Sequence, residues 1–393
     1  MLIEVHMLQN HAPSNLNRDD TGSPKEAIFG GYKRARISSQ CIKRSIRRSE
    51  IFEDQLKGLL ATRTRSLPEL IKSMLSVDGI SAEMAEIGAQ KASGFGTEEG
   101  KEQKPNKSGH YRTAQTMFLS KADIQAVSAV IATAAKEAKD KKAFEKVAAR
   151  ELQKKAEDKG YRPISVDVAL FGRMVTSEAF VNVEAASQFA HAISTHKIDH
   201  EFDYYTAVDD LERAADDEVG GGADMIGDVE FNSACYYKYF NIHVEGLVDN
   251  LTGKAFNREV NDEDEKNARE TAGKAIRALI EAACRVTPSG KQNSFAAHQL
   301  PSLLWIEIRD KNLPVSYANA FCEPVYPKGR GGLEVESVNA LRNECKTITE
   351  KYGLEARKRL MLAKNWDIKI LDITSSKDLQ VILDEVETEV TRG

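Results

Sequence analysis

The order in which strand and helix patterns follow one another constrains this chain more than any single motif. Residues Leu2–Leu8 alternate β-favouring side chains, with Ile3, Val5 and Met7 on one face, and read as an opening strand. Strand character then gives way to a lysine- and alanine-rich helical stretch from about Ser66 to Gly160. It returns at Ile164–Leu170, in the aromatic run Cys235–Val244 (CYYKYFNIHV) and at Leu303–Ile308. That order predicts an α+β core interrupted by two excursions. The second excursion, Glu201–Asp228, is acidic at its start and glycine-rich at Gly220–Gly222, as expected of a protruding loop or hairpin. No internal repeat is visible.

Local signals fill in this outline. His11–Lys25 is rich in Pro, Asn, Asp, Ser and Gly and reads as a loop. Ala27–Ile37 reads as a hairpin turned at Gly30-Gly31, a pair able to take positive φ. Ser38-Ser39 supplies an N-cap for a short helix to about Arg48. Ser120–Asp123 is a capping-box variant opening a helix through about Ala138, and Phe144–Lys159 reads as another. Ser93–Gly109 has almost no apolar content and is expected to be mobile, with Gly94, Gly96 and Gly100 as loop punctuation rather than a phosphate-binding fingerprint. A helix is expected across Glu184–His191 and a longer one across Asn261–Cys284, whose Ala275, Ile276, Leu279, Ile280 and Ala283 form one stripe.

Composition narrows the classes. At 393 residues with 41% hydrophobic side chains, the chain has ample material for a core, which excludes wholesale disorder. The longest charge-free apolar stretch, Ala126–Ala135, is far short of the ~20 residues a membrane helix needs. The N-terminus lacks the layout of a signal peptide. The five cysteines are scattered, without a disulfide framework or CxxC knuckle, so a reducing cytoplasm is expected. A net charge of -5 argues against a nucleic-acid partner until its distribution is examined. Between Lys25 and Arg48, the bases Lys25, Lys33, Arg34, Arg36, Lys43, Arg44, Arg47 and Arg48 face only Glu26. The acids collect in Asp199–Glu218, Asp262–Glu265 and Asp378–Glu389. Local charge, not the sum, governs phosphate binding.

Within that basic run, Gln40, Lys43, Arg44 and Arg47 fall at i, i+3, i+4 and i+7 and share one helix face. Ile42 and Ile46 lie on another and can dock on a core. The stripe spans roughly 10 Å, comparable to neighbouring phosphates along a single strand. With the Ser38 cap at its N-terminus, it reads as a phosphate-binding helix; the plainer reading is a solvated face. Lys291, in the tight loop Pro288–Gln292, is a second candidate phosphate contact. Arg173-Met174 and Tyr204-Tyr205 place a cation beside a flexible apolar side chain and two adjacent rings, the chemistry a single strand needs. Taken singly, the tyrosines are more often core packing. Asn17-Arg18-Asp19-Asp20 lacks a third carboxylate for a metal. His191, His196 and His200 lack the Glu or Cys partners of a zinc site. No metal, cofactor or catalytic constellation is expected.

The segment PSNLNRDDTGSPKEAIFGGYKRARISSQCIKRSIRRS resembles the N-terminal signature of the CasC family, the Cse-type backbone subunits of type I-E CRISPR Cascade. The resemblance continues in order at FGRMVTS, AHAISTHKID, DYYTAVDDL, SACYYKYFNI, PSGKQNSFAA and PVSYANAF, and is weakest over Leu56–Arg162. It implies an RRM-like (ferredoxin-like) palm from residues 1–56, 164–198 and 232–393, helical fingers at 57–163 and a thumb hairpin at 199–231. It further implies copies polymerising along a crRNA that pairs with target DNA, alongside other Cascade subunits, with no membrane partner. By position, Lys25, Gln40, Lys43, Arg44 and Arg47 would hold the RNA backbone with Arg18, Ser38, Arg173 and Lys291 nearby. Met174 would wedge at a displaced base, and Tyr204 and Tyr205 would stand at the thumb's base, where the family often has Trp-Phe. The expected role is non-catalytic. The rival is a metal-dependent ribonuclease like the type III relatives, with Asp19, Asp20, Asp209 or Asp210 as the acid.

Overall fold

A computed structural model describes residues 1–158, 162–207, 225–328, 332–364, 373 and 375–393. Its strands are β1 (Leu2–Ser14), β2 (Glu26–Phe29), β3 (Tyr32–Ile37), β4 (Thr62–Thr64), β5 (Met117–Leu119), β6 (Ser187–Phe189), β7 (Ala192–Ser194), β8 (Glu201–Ala207), β9 (Met225–His243), β10 (Leu303–Arg309) and β11 (Lys358–Ala363). Its helices are α1 (Ser39–Arg47), α2 (Glu50–Gln55), α3 (Leu67–Val77), α4 (Ala82–Ser93), α5 (Lys121–Glu137), α6 (Lys141–Glu145), α7 (Ala149–Glu157), α8 (Val166–Phe171), α9 (Val244–Thr252), α10 (Asp262–Arg285), α11 (Gln292–Phe295), α12 (Gly332–Tyr352) and α13 (Leu379–Arg392). The class is α+β. Two compact units are each assembled from separated segments: Met1–Phe52, Gln188–Ile242 and Ile276–Glu389 form the first, Glu53–Ser187, His243–Ala275 and Val390–Gly393 the second.

The first unit is built on a sheet of order β11-β10-β1-β9-β7-β3-β2, with β6 and β8 also pairing β9. The β1–β10, β10–β11, β2–β3, β3–β7, β7–β9 and β8–β9 ladders are antiparallel. The β2–β3 turn falls at Gly30 and Gly31, both at positive φ, as the hairpin requires. Ile3, Val5 and Met7 are core residues, but Glu4 and His6 on the opposite face are equally buried, so β1 is not one-sided. The cause is a second covering layer: Leu8, Tyr237, Trp305, Val338, Leu341 and Cys345 pack together, which brings α12 onto that face. The second unit packs α3, α4, α5 and α7 around Ile71, Leu75, Val127, Ile131 and Leu152. Its longest cap is reciprocal: Ser120 Oγ accepts from Asp123 N, and Asp123 Oδ2 accepts from Ser120 N, each at 3.0 Å.

Four expectations are corrected. Ile164–Leu170 holds the helix α8 instead of a strand; a short apolar run buried on every side carries no period to tell the two apart. Glu184–His191 holds the strand β6, not a helix, because pairing with β9 supplies its backbone partners, as where Ala190 N donates to Tyr239 O at 3.0 Å. The loop at His11 begins only after β1 ends at Ser14. Ser93–Gly100 is packed rather than mobile: Phe95 is fully buried, and Gln153 Nε2 donates to the carbonyls of Gly94 and Thr97 at 2.8 and 2.9 Å. Of the second excursion, the arms β8 and β9 form the expected hairpin. Gly220–Gly222, Asp209 and Asp210 lie outside the described residues.

Candidate nucleic-acid interface

The site in the first unit starts from how the chain enters α1. Ser38 has extended φ/ψ, and its Oγ accepts from Cys41 N at 3.3 Å. Asn17 Oδ1 accepts from Ser38 N at 2.8 Å while Asn17 O accepts from Lys25 N at 2.8 Å. One asparagine thereby ties the 15–25 loop, with Arg18 and Lys25, to the helix N-terminus. Ile46 is buried, and Cys41 and Ile42 pack against the cluster formed by Ile37, Ala192 and Tyr236. Docking that face turns the stripe outward: Gln40 and Arg44 are exposed, Lys43 and Arg47 half-buried. Among the described residues no acid pairs with Lys25, Lys43 or Arg44.

A second loop joins this surface. A Cβ on Gly290 would fall 2.4 Å from Leu16 O, so only glycine lets Pro288–Lys291 approach the 15–18 backbone so closely. Gln292 braces the turn, donating to Pro288 O and accepting from Ala297 N at 2.9 and 2.8 Å. Lys291 stands at left-handed φ beside it. Residues Leu16–Gly22 and Gly290 line an open, polar hollow of about 530 Å³. Asp19 serves that loop: its Oδ1 accepts from Thr21 N, Thr21 Oγ1 and Ser23 N at 2.9, 2.7 and 3.0 Å. Those hydrogen bonds, Thr21 Oγ1 foremost, hold its carboxyl below the usual range.

The β8–β9 ribbon is exposed on both faces. Tyr204 is 64% and Tyr205 43% exposed, with Tyr205 lying across Gly227 of the facing strand. Phe202 and Ile226, equally open, extend the apolar ribbon. The spacing of β8 alone gave no reason to single out those two.

Two expected surface cations are internal. Arg34 is fully buried in β3 and donates to the carbonyls of Ser194 and Phe321, so it ties β3 to the end of β7 and to the 318–321 turn instead of adding to the basic surface. Arg173, in the second unit, is also buried. Its guanidinium donates to Asp123 Oδ2 and Phe118 O at 2.8 and 3.0 Å, which removes it from any ligand surface. Its neighbour Met174 is 92% exposed, a large apolar side chain in water.

No group of three His, Cys, Asp or Glu side chains placed to hold a metal ion occurs among the described residues. His191 Nδ1 accepts from Ser39 N at 2.9 Å, which orients its Nε2–H. Burial and the charges of Arg36 and Lys25 hold its pKa below the ordinary value. The chain's position after β6 gave no local sign of this contact.

Fold and site together define a mixed α+β protein that offers a cation-faced helix, two linked loops and an exposed aromatic ribbon. The chain belongs to the family described as CT1975-like protein, a Cas family, whose model matches residues 3–388. Among solved structures, a chain of a CRISPR RNA-guided surveillance complex in a pre-nicking state superposes with a TM-score of 0.79 at 27% identity, covering 99% of this chain and 100% of that one. A chain of another CRISPR RNA-guided surveillance complex gives 0.71 at 25% identity, with the same coverage. No curated protein matches the sequence.

Proposed function

We propose that this chain is a crRNA-binding backbone subunit of a Cascade-type surveillance complex, of the type I-E CasC kind, acting in several copies along the spacer. The observation that carries this reading is the outward basic stripe of α1, joined through Asn17 and Gly290 to loops bearing Arg18, Lys25 and Lys291. It occurs in a chain that matches surveillance-complex subunits over its whole length. A subunit that must hold any spacer needs contacts to phosphate and ribose, leaving bases free to pair with target DNA. The sheet unit serves as an RRM-like palm and the β8–β9 ribbon as a thumb. The thumb, with Tyr204 and Tyr205 at its base, reaches over a neighbouring copy and flips a base out of line at regular intervals, dividing the guide into short segments. Met174 of a copy wedges near a displaced base. Other Cascade subunits and further copies of the chain complete a cytoplasmic assembly, and the chain itself performs no chemistry.

Lys43→Ala combined with Arg47→Ala is expected to abolish crRNA-bound assembly while the folded monomer persists, read by co-purifying RNA and circular dichroism. Undiminished RNA would overturn the reading. The ribonuclease alternative is addressed by incubating the assembled complex with matching RNA and magnesium. Cleavage at regular intervals, lost in Asp19→Ala or Asp20→Ala, would replace the non-catalytic role.

A further inference from the structure

Met174 stands 92% exposed between two buried neighbours, Arg173 and Val175, in the second unit. A methionine in water has several soft rotatable bonds and little packing to steady it, so its position is set by the chain that carries it. That chain is pinned on both sides. Arg173 N donates to Val183 O at 2.9 Å and Val183 N to Arg173 O at 2.8 Å, an antiparallel bridge. Val175 N donates to Asn182 Oδ1 at 2.7 Å. The Arg173 side chain turns inward and forks: Nε donates to Val181 O at 3.0 Å, and Nη1 to Phe118 O at 3.0 Å and to Asp123 Oδ2 at 2.8 Å. Asp123 belongs to the capping box that opens α5, and its Oδ1 pairs with Arg162 Nε at 3.0 Å. Both guanidinium groups lie over the Phe180 ring, 5.7 and 5.9 Å from its centroid.

A buried cation is costly to desolvate, and well-packed apolar residues commonly stabilise such a site as well or better. Folding alone is therefore a weak account of Arg173. What a guanidinium adds is direction, since its planar donors fix several acceptors in one geometry. Here the acceptors come from three segments: the strand β5, the first turn of α5 and the return of the loop at Val181. A side chain that wedges beside a base must withstand the tendency of the bases to restack, and a slack loop would give way first. We propose that Arg173 is a positioning residue that anchors the Met174 loop to β5 and α5, so that Met174 holds the guide's displaced base apart instead of yielding to it. The inference rests on the RNA-binding reading, in which Met174 is the wedge. Arg173 itself stays buried, and Asp123, aimed by Arg162 and by Ser120 N, is its fixed point.

The test uses the full chain assembled on guides carrying 2-aminopurine at successive spacer positions, a base whose fluorescence rises when it is unstacked. The wild type is expected to give bright positions at regular intervals, and Met174→Ala to dim them. Arg173→Met removes the donors while leaving Asp123 paired with Arg162. It should lower the unstacked-to-stacked ratio at those positions about tenfold, the worth of one charge-assisted hydrogen bond. Adding Arg173→Met to Met174→Ala should change the ratio no further, because the arginine acts through the methionine. A merely structural role would move the melting temperature and leave the bright positions alone. Asn182→Ala, at an exposed position, cuts the Val175 tether, should also dim the bright positions, and remains informative if Arg173→Met does not fold. Hydrogen exchange at the Arg173, Val175 and Val183 amides reports the loop without RNA and should quicken about tenfold in Arg173→Met. Bright positions unchanged in either single variant, or a double variant dimmer than Met174→Ala, would overturn the proposal. Quickened exchange in a chain that binds no guide would instead retain the anchor and remove the RNA-binding reading.

Discussion

Glu4 and Glu307 sit directly opposite each other in the β1–β10 ladder, and both are wholly buried. Two facing carboxylates repel, so the pairing depends on Arg309, whose Nε donates to Glu4 Oε2 at 2.6 Å while its other arm pairs with Glu307. Tyr239 OH and Val315 N each donate to Glu4 Oε1 at 2.7 Å, and Arg359 Nε donates to Glu307 Oε1 at 2.7 Å. Removing the central cation leaves two buried anions facing each other, so Arg309→Met is expected to destabilise the chain by about 3–5 kcal/mol. Urea denaturation at neutral pH measures this. Acid acts through two buried histidines of β1. Burial lowers the pKa of His6 and of His11 to about 4 each. Between the unfolded value of ~6.5 and 4 the unfolded chain binds more protons, so stability is present above pH 6.5 and is lost as pH falls through that window. Glu4, raised by burial, acts in the opposite sense at the acid end. Urea midpoints measured from pH 7 to 5 should therefore decline, and His11→Gln should flatten part of the slope.

At the scale of elements, the loop carrying Lys291 separates architecture from ligand contact. Gly290→Ala must push the loop off Leu16 O, with an expected cost of about 1–3 kcal/mol and weaker RNA binding. Lys291→Ala touches only the charge and should weaken RNA binding with an unchanged melting temperature. If both variants behave alike, the loop's placement is not what presents the lysine. The same distinction explains what the sequence made legible. The Gly30-Gly31 hairpin, the Ser38 cap, the Ser120–Asp123 box and β10 were readable because each is specified by neighbours within a few residues. α8 and β6 were misread because a distant strand or packing layer decides them. Of the basic run, the α1 stripe was readable from its period, whereas nothing local marks Arg34 as internal while Lys33 and Arg36 face outward. The anchor at Arg173 joins residues 118, 123, 173 and 181 and has no sequence signature at all.

For the whole molecule, the net charge of -5 and a basic RNA-holding surface are compatible because the charges are segregated. The segregation has a measurable consequence. Arg18, Lys25, Lys43, Arg44, Arg47 and Lys291 are the cations assigned to the guide backbone, six in all. Each phosphate neutralised on a single strand contributes about -0.7 to the slope of log affinity against log salt, so full engagement gives about -4 per subunit. Removing Lys43 should make the slope shallower by about 0.7, and by the same amount for two guides of unrelated sequence, because a phosphate contact carries no base information. Glutamine in place of Lys33 should leave the slope unchanged, since that lysine is occupied by Glu26. Anisotropy titrations over about 50–300 mM salt separate the outcomes. A slope unaffected by Lys43→Ala would place the RNA elsewhere on the molecule, and a loss confined to one guide would mean that α1 reads bases.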